Sequence, residues 1–330
     1  PFPPPFAPTG WKTVALDHFS MQVVDYQKEA AYYAALMGWK VRSDDGSKAV
    51  LDIGDWGQVV IRGGLEVPPP PPAPPSGDSA AGRGGRGGRG GGRGPARAVW
   101  DSFCWGIDNW DTKTVEVELK KRGLNPVADH NGSFQSFHVK DPDGFDVQIC
   151  NTKARKLSGA NGKLAAPAPF EPTGWNSIWL DHISFQCTSY KESAAWYAAL
   201  LGWKLGEDEG SQNEAQIGDV GGIIIRGGNA NAPGGLAAGR GGRGNADSAA
   251  GGPPAPVVRR TVINHVAFGI AGFDPDKVLA ELQKRGLTAR ADTGGPRDIH
   301  EAPYKSYHTT TPNGYDLQIS NGTRETRTVR

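Results

Sequence analysis

Five histidines lie in segments that the sequence repeats, and their side chains are well suited to chemistry. His18 lies in LDHFSMQ, and His182 lies in the matching LDHISFQ. His138 and His308 occupy the matched segments SFHVK and SYHTT, while His265 lies in NHVAFGI. Imidazole binds transition metals and transfers protons near neutral pH. These segments therefore predict a metal-binding or acid–base site wherever the fold brings them together.

The two halves of the chain are copies of one another. The segment from Phe6 to Gly64 matches that from Phe170 to Gly228 without gaps, which indicates duplication. Farther along, DSFCWGIDNW corresponds to NHVAFGIAGF, and SFHVKDPDGFDVQICN corresponds to SYHTTTPNGYDLQISN. Each half therefore holds two units.

Each unit follows the plan strand, helix and then about three strands. The alternating DHFSMQV predicts a strand, and the alanine-rich YQKEAAYYAALMGW, ended by glycine, predicts a helix. Runs such as GQVVIRG and FDVQICN predict the further strands. The sequence therefore predicts an α+β fold of four βαβββ modules.

Composition sets outer limits on function. A chain of 330 residues suits two domains, and its net charge of +1 gives no general reason to bind nucleic acid. No apolar run approaches the ~18 residues that a membrane span needs. Three cysteines are too few for a disulfide framework, and a bond between Cys104 and Cys150 is left open.

The DH strand, the YYAALMGW helix and the DPDG hairpin together resemble the vicinal oxygen chelate superfamily of glyoxalases, bleomycin-resistance proteins and extradiol dioxygenases. The resemblance implies two cupped-sheet domains, each built from two modules. The predicted parts are a Pro-rich arm (1–15), a first domain (16–152) with a low-complexity insert (65–97), a linker (153–179), a second domain (180–322) with an insert (229–256), and a tail (323–330).

The resemblance also implies where a metal would bind. In enzymes of this superfamily, ligands come from the first strand of each module and from the final strand, which supplies a glutamate. In the second half these positions hold His182, His265 and Gln318, so Fe, Zn, Mn or Ni could bind there. His308 is the candidate acid–base residue.

The first half looks like a degenerate copy of this site. Its three positions hold His18, Ser102 and Gln148, and one imidazole with two neutral oxygen donors makes a poor divalent site. A fourth family position is expected at Ile61 and Ile225, which are apolar. No replacement carboxylate is apparent in either half.

The low-complexity inserts add a separate signal. Tracts such as PPPPPAPPSGD and GRGGRGGRGGGRG predict flexible linkers that cannot bury a core. RNA binding by their arginines is not expected, because no aromatic side chain lies between them.

Two hypotheses follow. The lost carboxylate ligands favour a non-enzymatic protein without a cofactor, a structural subunit that assembles with itself into a filament, tube or other oligomer through its arm and Gly-rich loops. Because Pro1 is not an initiator Met, extracellular or periplasmic export is expected, with a shortened or cytoplasmic chain as the alternative.

The alternative is a metal-dependent lyase or dioxygenase, or a small-molecule binding protein, that uses the C-terminal cup. Trp105, Phe185 and Phe268 lie at alternating strand positions and could line the cups. The ligand would then be a small aromatic or oxygen-bearing compound.

Overall fold

The structure is a computed structural model that describes residues 2–67, 97–154, 156–228 and 261–327. Most of both predicted inserts, 65–97 and 229–256, lies outside the described residues, and so do the arginine-containing tracts. No helix in the described ranges has the length and apolar character needed to cross a membrane.

The first half forms one mixed sheet and two helices. Its elements in chain order are β1 (Thr13–Val23), α1 (Tyr26–Met37), β2 (Lys40–Asp44), β3 (Lys48–Ile53), β4 (Gly57–Arg62), β5 (Ala98–Ile107), α2 (Thr112–Lys121), β6 (Val127–Ala128), β7 (Ser136–Lys140) and β8 (Asp146–Cys150). The eight strands lie in the order β2-β3-β4-β1-β5-β8-β7-β6.

The second half repeats this arrangement. Its elements are β9 (Ser177–Gln186), α3 (Tyr190–Leu201), β10 (Lys204–Asp208), β11 (Gln212–Ile217), β12 (Gly221–Arg226), β13 (Val262–Ile270), α4 (Pro275–Lys284), β14 (Arg290–Asp292), β15 (Ser306–Thr310) and β16 (Asp316–Ser320). The strand order is β10-β11-β12-β9-β13-β16-β15-β14. The predicted α+β fold of four βαβββ modules is confirmed.

Each sheet joins its two modules through their first strands. β1 pairs with β5, and β9 with β13, both antiparallel. Within each module the first strand also pairs in parallel with the last, as β9 does with β12 and β13 does with β16. The first and last strands of both modules therefore lie side by side at the centre of each sheet.

The helices α1 and α3 are buried, whereas α2 and α4 lie at the surface. Nine of the 12 residues of α1 and of α3 are buried, but only two of the 10 residues of α2 and of α4. Asp25 caps the start of α1 by accepting a hydrogen bond from the Lys28 backbone, and Gly38 ends it at φ 67°. The alanine-rich helices are apolar on most sides because both halves of the chain enclose them.

The N-terminal arm packs against the second half of its own chain. Phe6 contacts Trp196 of α3 with ring centroids 6.4 Å apart, and the Thr9 backbone N–H donates to the Ala199 carbonyl at 2.9 Å. The segment before β9 mirrors this on α1, where the Thr173 N–H donates to the Ala35 carbonyl at 3.0 Å. The arm that was expected to join neighbouring subunits therefore packs against α3 of its own chain.

Two reciprocal tryptophan hydrogen bonds also join the two halves of the chain. Trp39 Nε1 donates to Ser177 Oγ at 2.9 Å, and Trp203 Nε1 donates to Thr13 Oγ1 at 3.0 Å. A single apolar core contains residues of both halves. We conclude that the two sheets fold against one another.

Gly38→Ala tests the packing of the segment before β9 against α1, with Gly46→Ala as the matched control. Both glycines have positive φ, so alanine should cost about 1–2 kcal/mol at either position. A Cβ at position 38 would also collide with the carbonyl oxygen of Trp175, whereas at 46 it would meet nothing. We expect Gly38→Ala to lower the free energy of unfolding by about 2 kcal/mol more than Gly46→Ala, measured by urea denaturation. Equal losses would show that the docking of this segment contributes no stability.

Candidate metal centre

The second sheet aligns the predicted site residues in a row across four strands. His182 of β9 is in register with Ala267 of β13, Ala267 with Gln318 of β16, and Gln318 with His308 of β15. In the adjacent row, His265 is in register with Ser184. Between His182 and Gln318 in this row lies Ala267, which projects only a methyl group.

His182 is buried and oriented by a carboxylate. Its Nδ1 lies 2.7 Å from Asp181 Oδ1, and Asp181 also accepts hydrogen bonds from Ser320 Oγ and from Arg327 Nε. Burial opposes ionisation of Asp181, but the hydrogen bond and charge of His182 and the charge of Arg327 lower its pKa overall. The ionised carboxylate accepts a hydrogen bond from the Nδ1–H of His182, so Nε2 is the nitrogen that faces the cup.

His265 faces His182 across the cup. The two Nε2 atoms are 3.2 Å apart. Burial lowers the pKa of His265 to about 2, assisted by the neighbouring His182, His308 and Arg226, so His265 is neutral at ordinary pH. Two nitrogens that are each about 2.1 Å from one ion lie about 3.0–3.4 Å apart, so the observed spacing fits a shared metal.

Gln318 presents an unused oxygen. Its Nε2 donates to Ser306 Oγ at 2.8 Å and to Tyr304 OH at 3.1 Å. Ser306 Oγ itself donates to the backbone carbonyl of Asp292, so it must accept from Gln318, and this fixes the orientation of the amide. Gln318 Oε1 is buried and has no hydrogen-bond partner among the described residues. A buried acceptor in this state needs an ion or a water.

His308 is held as a proton donor between two carboxylates. Its Nδ1 lies 2.9 Å from Asp316 Oδ1, and its Nε2 lies 3.2 Å from Asp292 Oδ2. Burial alone would lower the pKa of His308, but the two carboxylates outweigh it and raise the pKa. Its ring centroid is 5.0 Å from that of His265. Carboxylate oxygens beside both ring nitrogens favour the doubly protonated form, so His308 suits proton transfer better than metal ligation.

The cup also contains carboxylates that were not predicted from the sequence. One nitrogen each of His265 and His308 and a carboxylate oxygen of Asp316 all lie within 4.8 Å of one another. Asp316 precedes Gln318 by two residues and therefore shares its face of β16. This alternation was the available signal, and it shows that carboxylates reach the cup although the final strand β16 contains no glutamate.

The fourth family position does not fall at the expected isoleucines. Ile61 and Ile225 are fully buried in the apolar core, on the opposite face from the histidines. On the cup face, β12 instead presents Gly222, Ile224 and Arg226.

The three aromatic residues expected to line the cups also lie in the apolar core. Phe185 packs against Tyr197 with ring centroids 5.6 Å apart, and Phe268 packs against Trp39 at 5.1 Å. Trp105 is fully buried in the same core. An aromatic ligand would therefore not contact them.

The first half does not reproduce the site. His18 Nδ1 lies 2.7 Å from Asp17 Oδ1, as in the second half, but Ser102 replaces the second histidine. Cys104 occupies the position of Ala267, so the first half has a thiol where the second half has a methyl group. Gln148 Nε2 donates to Ser136 Oγ at 2.8 Å. His18, Ser102 and Gln148 thus bring one imidazole to this face.

The cysteines of the first half are free thiols. Cys104 and Cys150 are both fully buried and are not bonded to each other. Burial raises the pKa of the Cys104 thiol well above its usual value, with a further contribution from Cys150. One ligand atom each of Asp17, His18 and Cys104 lies within 4.8 Å of the others. With its thiol protonated, this cluster offers a weaker divalent site than the second half.

Solved structures with the same fold include a Mn(II)-bound glyoxalase and two 2,3-dioxygenases. The chain is similar to the Mn(II)-bound glyoxalase from Novosphingobium aromaticivorans, with TM-score 0.58 and 15% identity over 94% of this chain and 82% of that one. It is also similar to homoprotocatechuate 2,3-dioxygenase from Arthrobacter globiformis, with TM-score 0.56 and 15% identity over 97% and 81%. A third similar structure is the 2,3-dioxygenase LapB from Pseudomonas sp. KL28, with TM-score 0.54 and 14% identity over 94% and 93%.

These likenesses confirm the resemblance to the vicinal oxygen chelate superfamily at the level of the fold. No protein-family model and no curated protein matches the sequence. At this level of identity, the activity has to be argued from the site itself.

The hypothesis of a structural, self-assembling subunit is wrong. The structurally similar proteins are enzymes, among them a Mn(II)-bound glyoxalase, and the described residues contain groups that can hold a metal. The expectation of a non-enzyme without a cofactor rested on the missing glutamate. That inference overlooked the carboxylates that other positions bring to the cup.

Asp316→Asn tests the electrostatics of His308. The carboxylate of Asp316 stabilises the imidazolium, so its loss should lower the pKa of His308 toward the ordinary value, as followed by NMR titration of the ring protons of the metal-free chain. His138 has a raised pKa beside Asp146 in the first half and should not change. An unchanged pKa of His308 would show that Asp316 does not stabilise the imidazolium form of His308.

Proposed function

We propose that the second cup binds one divalent transition metal and that the protein is a metal-dependent enzyme of lyase or dioxygenase type. Its substrate would be a small molecule that binds through oxygen atoms. His182, His265 and Gln318 are the proposed ligands. The observation that carries the proposal is the pair of facing Nε2 atoms, 3.2 Å apart, in a cup that also contains the unpartnered Gln318 Oε1.

The donor set suits the proposal. Two neutral imidazoles and one amide oxygen match the nitrogen and oxygen preference of Fe, Mn, Zn and Ni, and three protein ligands leave positions for substrate oxygens. A bound ion of this kind would polarise and orient those oxygens. The amide adds no negative charge, so Asp181 behind His182 and Asp316 beside His265 supply the nearby charge that favours a dication.

His308 has the properties of an acid in such a reaction. It is 4% exposed, and two carboxylates hold its proton, so the proton is shielded from water and lies near His265. Gln318 cannot act as a base, since its amide does not titrate. Proton transfer in the cup is therefore assigned to His308, with Asp292 and Asp316 as its positioning residues.

His265→Ala tests the metal site directly. Full-length protein reconstituted with Mn(II) or Fe(II) should hold about one ion per chain, measured by elemental analysis after gel filtration. His265→Ala removes one of the two imidazoles and should weaken metal binding by about 100-fold or more, whereas the matched change Ser102→Ala in the first half should have no effect. Stoichiometric metal in His265→Ala, or none in the unaltered protein, would contradict the proposal.

Gln318→Glu tests the third ligand. A carboxylate at this position adds the charge that glutamate provides in the superfamily, so Mn(II) affinity should rise about 10-fold or more in calorimetric titrations. Gln148→Glu places the same charge in the first half and should not change the affinity. A weaker or unaltered affinity in Gln318→Glu would remove Gln318 from the ligand set.

A further inference from the structure

Arg226 brings a positive charge to the cup face beside the proposed metal ligands. It ends β12, and its Nη1 donates to Ser184 Oγ at 3.1 Å. Ser184 is fully buried and in register with His265.

The charge of Arg226 is not neutralised within the described part of the chain. There the guanidinium contacts neutral acceptors, Ser184 Oγ at 3.1 Å and Gln212 Oε1 at 2.9 Å, and no carboxylate forms an ion pair with it. Burial lowers the pKa of Arg226, while the more distant Asp292 and Glu209 oppose this shift. A half-buried guanidinium with neutral partners retains the capacity to bind an anion.

In the first half, the corresponding arginine is neutralised by a carboxylate. Arg62 is the counterpart of Arg226, and it forms an ion pair with Asp101. The residue that matches Asp101 in the second half is Asn264, whose amide donates to Gln186 Oε1 at 3.2 Å. Among the described residues, the second cup therefore keeps the arginine and has no carboxylate paired with it.

Two differences between the halves coincide in adjacent residues. Asp101 and Ser102 of β5 correspond to Asn264 and His265 of β13. The half that has the second metal-binding imidazole is thus the half in which the arginine has no carboxylate partner. A substrate anion would supply the missing charge.

We propose that Arg226 binds an anionic oxygen group of the substrate, so that the second cup selects small oxygen-bearing molecules that carry a carboxylate. This inference rests on the proposed function, because it places the anion beside a metal-bound substrate. The planar fork of arginine matches a carboxylate through two parallel hydrogen bonds, and its water-depleted setting strengthens them. Arg226 is then the specificity-determining residue of the site.

Binding of a matched pair of probes to the full-length chain tests this inference. The pair is 3,4-dihydroxybenzoate and its neutral amide, 3,4-dihydroxybenzamide, titrated calorimetrically into the Mn(II)-loaded protein. We expect the acid to bind about 10-fold or more tightly than the amide, as charge-assisted hydrogen bonds predict. Arg226→Gln should reduce this preference to within about 2-fold.

Asn264→Asp provides a second variant that leaves the arginine in place. It recreates the carboxylate of the first half, so it should neutralise Arg226 and abolish the preference for the acid. Arg62→Gln is the matched control and should leave the preference unchanged. Equal binding of acid and amide, or a preference that survives both Arg226→Gln and Asn264→Asp, would overturn the inference.

The metal-free chain separates this inference from the proposed function. Benzoate and benzamide are titrated into it and followed by NMR. If no metal binds but benzoate is still preferred in an Arg226-dependent way, the anion site stands and the metal proposal fails. If metal binds without any preference for the acid, the metal proposal stands and the anion site fails. If neither metal nor acid binds, both proposals fail.

Discussion

The antiparallel pairing of β9 with β13 is the constraint on which the site depends. Two first strands, from modules far apart in sequence, meet at the centre of one sheet and place His182 and His265 with their Nε2 atoms 3.2 Å apart. Asp181 accepts a hydrogen bond from the Nδ1–H of His182, and burial lowers the pKa of His265 to about 2. The fold thus directs two imidazole nitrogens toward one point.

Because the chain is duplicated, its two halves can be compared position by position. Both halves keep the carboxylate behind the first histidine, at Asp17 and Asp181, and both keep a histidine between carboxylates, at His138 and His308. They differ at the centre of the cup. Ser102 and Cys104 of the first half correspond to His265 and Ala267 of the second, so the second cup has one more imidazole and a methyl group in place of a thiol. The two halves thus share a framework and differ in the groups at its centre.

The sequence predicted the fold and the identity of the aligned histidines because these depend on periodicity and internal repetition. It did not reveal which groups surround them. Asp316 was missed because its role depends on register with His265, and Asp292 because it lies on a short edge strand, β14, that approaches His308. The isoleucines Ile61 and Ile225 were assigned to the cup from family spacing, but strand alternation places them in the core. The arm was interpreted as an intermolecular contact because local composition cannot show that α3 of the same chain accepts it.

Metal binding by two facing imidazoles is the central claim, and X-ray absorption spectroscopy of the zinc-loaded full-length protein tests it most directly. The account predicts a spectrum with scattering from two imidazole rings and oxygen donors at about 2.0–2.2 Å from the ion. A bound ion without histidine scattering, or one coordinated through sulfur, would contradict it.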